Sequence, residues 1–286
     1  MAALRLLVVE GNAAAMRRLC RSLYGLTPGE RYAEELRRLR ADARVDIVAP
    51  ADDATPAPLP LAAYDGIAIT GSALNAYHDV PEVRRQVEFA RAVFAAGTPF
   101  FGSCWGLQIA TVAAGGRVER NDRGREVAYA RDIWLTPEGA RHPMHAGRPP
   151  AFSAPAIHGD HVTVLPEAAI VTAANGVSPV QAAEIHYGGG LFWGTQYHPE
   201  YALTDIADVI ARYGQVLVDE GNFETLDGLS AYVAELRRLA ADPRLTAIAW
   251  RLGLGADILD PMVRLTEIGN WLTHAVETRI HERRSA

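Results

Sequence analysis

The chain has 286 residues, of which 49% are hydrophobic and 22% are charged, and its formal net charge is −6. This length is enough to bury a full hydrophobic core, and it favours one main domain with a smaller addition. The acidic balance gives no basic footprint, which argues against a nucleic-acid partner. We expect no membrane-spanning segment, because no window is sufficiently apolar, and no signal peptide, because the N-terminus leads directly into a strand.

Apolar strand-like runs alternate with helical runs through the first three quarters of the chain. This alternation predicts an α/β fold with a mostly parallel twisted sheet and helices on both faces. We expect strands at residues 4–10, 45–49, 64–70 and 98–102. Helices are expected from about Ala13, over 31–40 and 81–96, and from the fourth strand to about Gly115.

The following region is predicted to contain short strands, at residues 117–135 and 169–185. Two segments read as loops. Residues 51–60 are rich in Pro and Asp, which favours a loop, and residues 141–155 lack a clear period.

Helical periodicity takes over from about Gly221. Apolar residues recur every three or four positions in 226–239 and in 265–280, and residues 247–252 predict a shorter helix between them. We therefore divide the chain into an α/β domain, residues 1–220, and a helical C-terminal extension, residues 221–286. Packing is the default role of this extension. The alternative is that it covers the active-site face or forms a homodimer contact, with Trp250 and Trp271 as anchors.

The most informative segment is Phe100-Phe101-Gly102-Ser103-Cys104-Trp105-Gly106-Leu107-Gln108. An apolar strand stops at a cysteine with glycines two positions before and after it, and a helix follows. This G-x-C-x-G pattern is the cysteine form of a nucleophile elbow, whose tight turn requires small flanking residues. At the N-terminus of a helix, the helix dipole favours the thiolate over the thiol. Cys104 is therefore the candidate nucleophile.

A second apolar strand ends in Gln196-Tyr197-His198-Pro199-Glu200. Thiolate catalysis needs a base and a group that orients the base. Residues two apart in an extended segment point to the same side, so Glu200 can hold His198 while the other ring nitrogen faces Cys104. The remaining cysteine, Cys20, lies in an ordinary helical pattern and is interpreted as a packing residue.

These motifs resemble those of the class I, or triad-type, glutamine amidotransferases. The likeness is strongest to stand-alone proteins similar to the glutaminase domain of GMP synthase. It rests on the elbow segment, on Tyr-His-Pro-Glu, on Thr70-Gly71-Ser72, and on Ile157-His158-Gly159-Asp160-His161-Val162. The four blocks occur in the family's order and cover about residues 4–215. The resemblance implies a flavodoxin-like sheet and a Cys104–His198–Glu200 triad.

The resemblance also implies an oxyanion hole made by the N–H groups of Gly71 and Trp105. A glycine just past a strand can expose its N–H to a substrate oxygen, because no side chain intervenes. Many relatives have Gly-Gly where this chain has Gly71-Ser72, so no donor beyond Gly71 is assigned in that loop.

Further residues are expected to bind the substrate. Gln108, one helical turn after Cys104, offers an amide donor and acceptor, and the resemblance gives it a role in recognising glutamine. His158, Gly159 and Asp160 are expected in a loop near the glutamyl pocket or near a partner surface. No metal site is expected, because neither this block nor His142-Pro143-Met144-His145 has a second ligand pair at structural-site spacing.

The predicted reaction is attack of the Cys104 thiolate on a γ-glutamyl amide. His198 then protonates the leaving ammonia or amine and activates water to hydrolyse the thioester. This half-reaction needs no cofactor. The chain contains no lysine, which excludes a Schiff-base lysine and a Walker-type ATP site.

Three functions remain open at this point. One is a free-standing hydrolase of γ-glutamyl amides, which the helical extension modestly favours. Another is a glutaminase subunit that passes ammonia to a separate synthetase partner. A catalytically idle binding protein is the third, and the intact Cys104, His198 and Glu200 argue against it. Two cysteines, one required as a thiol, favour the reducing cytoplasm.

Overall fold

The computed structural model describes residues 3–52 and 57–285. Eleven strands occur in this part of the chain: β1 Arg5–Val9, β2 Arg44–Val48, β3 Gly66–Ile69, β4 Phe100–Ser103, β5 Arg117–Arg120, β6 Glu126–Leu135, β7 Ala151–His158, β8 Asp160–Val164, β9 Ala169–Ala174, β10 Ala182–Tyr187 and β11 Gly190–Thr195. Of the predicted loop at 51–60, residues 53–56 lie outside the described residues.

The helices of the α/β region are α1 Ala14–Tyr24, α2 Pro28–Leu39, α3 Pro81–Ala96, α4 Trp105–Ala113, α5 Leu203–Tyr213 and α6 Gln215–Asp219. The C-terminal helices are α7 Leu226–Ala241, α8 Thr246–Leu252, α9 Ala256–Leu259, α10 Pro261–Arg264, α11 Thr266–Trp271 and α12 Glu277–Ser285, and a π-helical turn, Leu272–Val276, joins the last two. The part of the chain that the structure describes contains no helix long and apolar enough to cross a membrane.

The central sheet has two halves. Strands β2, β1, β3, β4 and β11 lie side by side in that order and all run parallel. Strands β10, β9, β6 and β7 continue the sheet with antiparallel pairing. The predicted α/β class is confirmed, and the two halves meet at β11, beside the strand that carries the elbow.

The predicted loop at 141–155 is wrong at its end, because β7 begins at Ala151 and pairs with β6 along its length. This segment contains prolines, which cannot donate a backbone hydrogen bond to a sheet ladder. However, β7 is the last strand of the nine-stranded order. An edge strand tolerates proline, and Pro155 lies opposite Tyr129 there.

Helices cover the two faces of the sheet. Helices α3 and α4 pack on one face, with Phe94, Phe100 and Leu107 among the buried residues. On the other face, α2 and the C-terminal α11 share one core, which contains Leu36 and Trp271.

Trp271 is fully buried against the sheet. A methyl group built on Gly66 of β3 would lie 2.9 Å from the Trp271 ring, so a larger residue there would displace the indole. Trp250, the other expected anchor, is 85% exposed. Helix α8 turns Ile248 and Ala249 inward and leaves Trp250 in solvent, so Trp250 does not anchor the extension to the α/β domain, and its part in a homodimer contact stays a prediction. The division of the chain at residue 220 stays a proposal.

Candidate active site

Cys104 lies in the sharp turn between β4 and α4. Its φ of 52° and ψ of −99° place it in a strained conformation that non-glycine residues rarely adopt. A methyl group on Gly102 would lie 2.6 Å from the backbone of Gly106, and one on Gly106 would lie 2.8 Å from the Ile69 carbonyl oxygen. Both glycines of the predicted elbow are thus required by close backbone approach.

Parallel pairing of β4 with β11 brings the second motif to the cysteine. Ser103 lies opposite Thr195, and the Cys104 N–H donates to the Thr195 carbonyl at 2.7 Å. The chain leaves β11 three residues before His198, whose N–H donates to the Pro155 carbonyl at 2.7 Å. This backbone hydrogen bond to the edge strand β7 fixes the position of the His198 backbone and therefore the point from which its imidazole extends.

The His198 ring is held on three sides. Its Nδ1 lies 2.7 Å from Glu200 Oε1, the expected orienting contact. On another side, Cys104 lies close enough to interact with the ring, and the two residues line the same cleft. Tyr201 stacks on the ring, with centroids 3.9 Å apart and planes 6° from parallel. Because Nδ1 faces Glu200, Nε2 is the ring nitrogen that remains for other partners.

Burial by itself would lower the pKa of His198, but the Glu200 carboxylate and the neighbouring Cys104 outweigh it and raise the pKa to about 10. The positive form of the ring is thereby favoured at neutral pH. An imidazolium beside a cysteine stabilises the thiolate, which is the nucleophilic form.

Glu200 is itself fixed by residues that sequence reasoning missed. The Ser103 hydroxyl donates to Glu200 Oε2 at 2.7 Å, and the Tyr32 hydroxyl lies 3.3 Å from the Ser103 oxygen. The Arg264 guanidinium of α10 donates to the Pro199 carbonyl, between the two triad residues. Ser103 stands next to Cys104 in the sequence, but no sequence signal pointed to Tyr32 or Arg264.

Gly71 lies directly against the His198 ring. A methyl group on Gly71 would be 2.5 Å from His198 Cε1, so glycine is required there for contact and not only for chain reversal. The Gly71 carbonyl accepts from Asn12 Nδ2 at 3.2 Å. Within residues 3–52 and 57–285, the N–H groups of Gly71 and Trp105 have no acceptor. Gly71 lines the cleft that also contains Cys104 and His198.

Gln108 and Asp160 are brought together one helical turn beyond Cys104. Gln108 is buried, and its Nε2 donates to the Asp160 carbonyl and to Gln196 Oε1, both at 3.3 Å. The Asp160 carboxylate accepts from Asn75 Nδ2 at 2.6 Å and from the Tyr77 hydroxyl at 3.2 Å. Gly159 and Asp160 line an open pocket that also contains three arginines of residues 120–125.

His158 is buried in a polar cluster of its own. Its Nε2 lies 2.8 Å from Glu126 Oε2, and its Nδ1 lies 2.9 Å from the Asp160 carbonyl oxygen. Asn175 and Gln181 also donate to Glu126. His158 therefore touches the backbone of the Asp160 segment and does not line the cleft at Cys104.

The remaining histidine pair, His142 and His145, lies away from Cys104. His142 Nε2 is 3.0 Å from Glu184 Oε2, and His145 Nε2 is 3.0 Å from Thr172 Oγ1. No group of three His, Cys, Asp or Glu side chains among the described residues is arranged to hold a metal ion.

The chain is similar in sequence to known proteins of the family that these motifs resemble. The family model for glutamine amidotransferase class-I matches residues 30–213. A γ-glutamyl-L-1-hydroxyisopropylamide hydrolase from Pseudomonas sp. is 39% identical over 276 residues, which are 96% of this chain and 93% of the relative. A GMP synthase from Thermomicrobium roseum is 31% identical over 64% of this chain, but the match spans only 32% of the synthase.

Solved structures agree on the fold. A glutamine amidotransferase from Thermotoga maritima superposes with a TM-score of 0.60 at 18% identity and covers 98% of this chain and 99% of its own. Another, from Methylobacillus flagellatus, has a TM-score of 0.55 at 18% identity, covering 89% of this chain and 96% of its own. The motifs, the family match and the near full-length relative together show that the chain belongs to the class-I glutamine amidotransferase family.

Proposed function

We propose that this protein is a hydrolase of γ-glutamyl amides that uses Cys104 as its nucleophile, His198 as acid and base, and Glu200 as the orienting carboxylate. The observation that carries the proposal is the setting of His198, which contacts Glu200 at 2.7 Å and lines the same cleft as Cys104. The hydrolase from Pseudomonas sp., whose likeness covers nearly the whole chain, supports a substituted amide as substrate.

In the proposed reaction the Cys104 thiolate adds to the γ-carbonyl carbon. The N–H groups of Gly71 and Trp105 stabilise the negative oxygen of the tetrahedral intermediate. His198 gives its proton to the amide nitrogen, the C–N bond breaks, and the free amine leaves a γ-glutamyl thioester. His198 then takes a proton from water, whose oxygen attacks the thioester, and glutamate is released with the thiolate restored.

Recognition of the γ-glutamyl group is assigned to Gln108, Gly159 and Asp160. Gln108 lies one helical turn from Cys104 and contacts Asp160. The arginines near Asp160 suit the α-carboxylate of an amino acid, and the Asp160 carboxylate suits its α-ammonium group. His158 is included as a positioning residue, because its Nδ1 contacts the Asp160 carbonyl oxygen. No step of this scheme uses a cofactor.

A glutaminase subunit that serves a separate synthetase is the second candidate. It is favoured by the matches to GMP synthases, which cover the α/β part of this chain. This alternative keeps the same chemistry, with ammonia as the leaving group and a synthetase as partner. For either function we propose a reducing cytoplasm as the location, since Cys104 must remain a thiol.

The test is glutamate release by the purified protein alone, from glutamine and from γ-glutamyl alkyl- and arylamides. We expect turnover of at least one substituted amide above glutamine, and Cys104→Ala should lose about 1,000-fold or more. Mass spectrometry after acid quench should place a glutamyl adduct on Cys104, also in Cys20→Ala, which controls for the second thiol.

Two results would count against the proposal. An unchanged rate in Cys104→Ala would refute the nucleophile. Absence of turnover on every amide would refute the free-standing hydrolase and favour the glutaminase subunit, for which added synthetase should restore glutamine hydrolysis.

A further inference from the structure

A cleft opens beside Cys104 on the side of His198. Gly71, Cys104 and His198 form its inner end, and α1, the start of α2 and α5 form its walls. Gln108 and Asp160 do not line it. In the proposed function, which this inference rests on, His198 protonates the leaving nitrogen, so the substituent on that nitrogen must lie near His198. The cleft is in the right place for that substituent.

The outer wall of the cleft is charged but mostly neutralised. Arg31 is paired with Asp205 and with Asp208, the latter at 3.3 Å. The Tyr24 hydroxyl donates to the Asp208 carbonyl at 2.7 Å. Both carboxylates are therefore occupied by a cation of the protein, which leaves them little capacity to bind a cationic ligand.

Arg212 differs from Arg31 because it has no carboxylate partner among the described residues. Its guanidinium contacts Met16 Sδ at 2.8 Å and Cys20 Sγ at 3.9 Å, and it lies over the Tyr213 ring at 5.5 Å. Thioether and thiol sulfurs are weak acceptors. Arg212 thus brings to the cleft a positive charge and N–H donors that the protein itself does not satisfy well.

We propose that this cleft is the subsite for the leaving amine, and that Arg212 selects N-substituents that carry an oxygen acceptor. A hydroxyl or carboxylate two or three bonds from the amide nitrogen accepts from the guanidinium. A plain alkyl group leaves Arg212 unsatisfied, and an ammonium group is repelled by it. Val209 and Leu26 supply apolar contact for the carbon branch of the substituent.

The experiment uses three γ-glutamyl substrates: the isopropylamide and the 1-hydroxyisopropylamide, which differ by one hydroxyl group, and the 4-aminobutylamide, which carries an ammonium group. We expect wild type to prefer the hydroxylated amide over the isopropylamide by roughly tenfold in kcat/KM, the size of one hydrogen bond to a charged group. Arg212→Met should remove this preference, leave the isopropylamide within about twofold and improve the aminobutylamide.

Matched variants separate this effect from damage to the fold. Arg18→Met makes the same change at an exposed position of α1 and should keep the wild-type preference. Arg212→Gln, which keeps a donor, should retain part of it. The inference would be overturned if Arg212→Met lowered kcat/KM equally for all three amides, or if it left the preference for the hydroxylated amide unchanged. Absence of Cys104-dependent release from any amide would instead overturn the proposed function.

Discussion

His198 and His158 are both buried and both contact a carboxylate, but only His198 lines the cleft that contains Cys104. His198 is 2% exposed and lies 2.7 Å from Glu200, while His158 is 4% exposed and lies 2.8 Å from Glu126. Burial and the carboxylate contact are therefore nearly the same in the two pairs. They differ in what occupies the other ring nitrogen.

In the His158 pair the second nitrogen points at the Asp160 carbonyl, so both nitrogens face oxygen acceptors. Neither nitrogen of this ring is left for a reacting group. His198 instead lines the cleft that also contains Cys104. A buried histidine–carboxylate pair is thus a structural clamp or a base according to its third neighbour.

The most direct test of the difference between His198 and His158 is to replace each histidine by glutamine. His198→Gln should lower kcat by about 1,000-fold, in the range of a lost general acid–base, and should also destabilise the fold at neutral pH, because Glu200 loses its charged partner. His158→Gln should destabilise the fold by about 3 kcal/mol, because Glu126 loses a buried partner, but should lower kcat far less. Rates at 15 °C and urea unfolding would measure the two effects.

His186→Gln is the matched control, since His186 is exposed and also contacts a glutamate two residues away. Neither its rate nor its stability should change appreciably. If His158→Gln lost as much activity as His198→Gln while staying folded, the proposed difference between the pairs would be wrong.

A smaller effect is expected from crowding the open side of His198. Gly71→Ala would place a methyl group 2.5 Å from His198 Cε1, which displaces the ring from Cys104 and should lower kcat/KM by roughly 100-fold. Gly176→Ala, where a methyl group meets nothing within 4 Å, is the control. Stopped-flow assays of glutamate release would measure both, and an active Gly71→Ala would contradict the close packing.

A further effect is expected on stability as a function of pH. The pKa of His198 is raised in the folded state from 6.5 to about 10. The stabilisation from its charged form is therefore complete below about pH 6.5 and is lost as the pH rises through 10. The difference in unfolding free energy between wild type and His198→Gln should narrow over this range in urea titrations. A difference in unfolding free energy that increases with pH would contradict this prediction.

The sequence predicted the parts of the site that are local in the chain. The glycines around Cys104 and the His-x-Glu spacing each lie within a few residues, and the strand pattern indicated that both follow parallel strands. Tyr32 and Arg264 were not predictable, because they reach Ser103 and Pro199 from segments far away in the chain.

Trp250 and β7 are two further features that the sequence alone could not predict. A helical period does not tell which large residue faces inward when a helix has only seven residues. Proline marks a loop or a strand edge equally well, and only the order of the strands decides between them. Both questions are settled by packing between distant segments.

The contact of Arg264 with the Pro199 carbonyl also has a consequence for synthesis of the protein. The segment that carries His198 and Glu200 emerges from the ribosome well before Arg264, and Trp271 follows later still. Cys104 is made earlier again. The nascent chain therefore contains Cys104 for more than half of its synthesis before Arg264, which holds the His198–Glu200 segment, has been made.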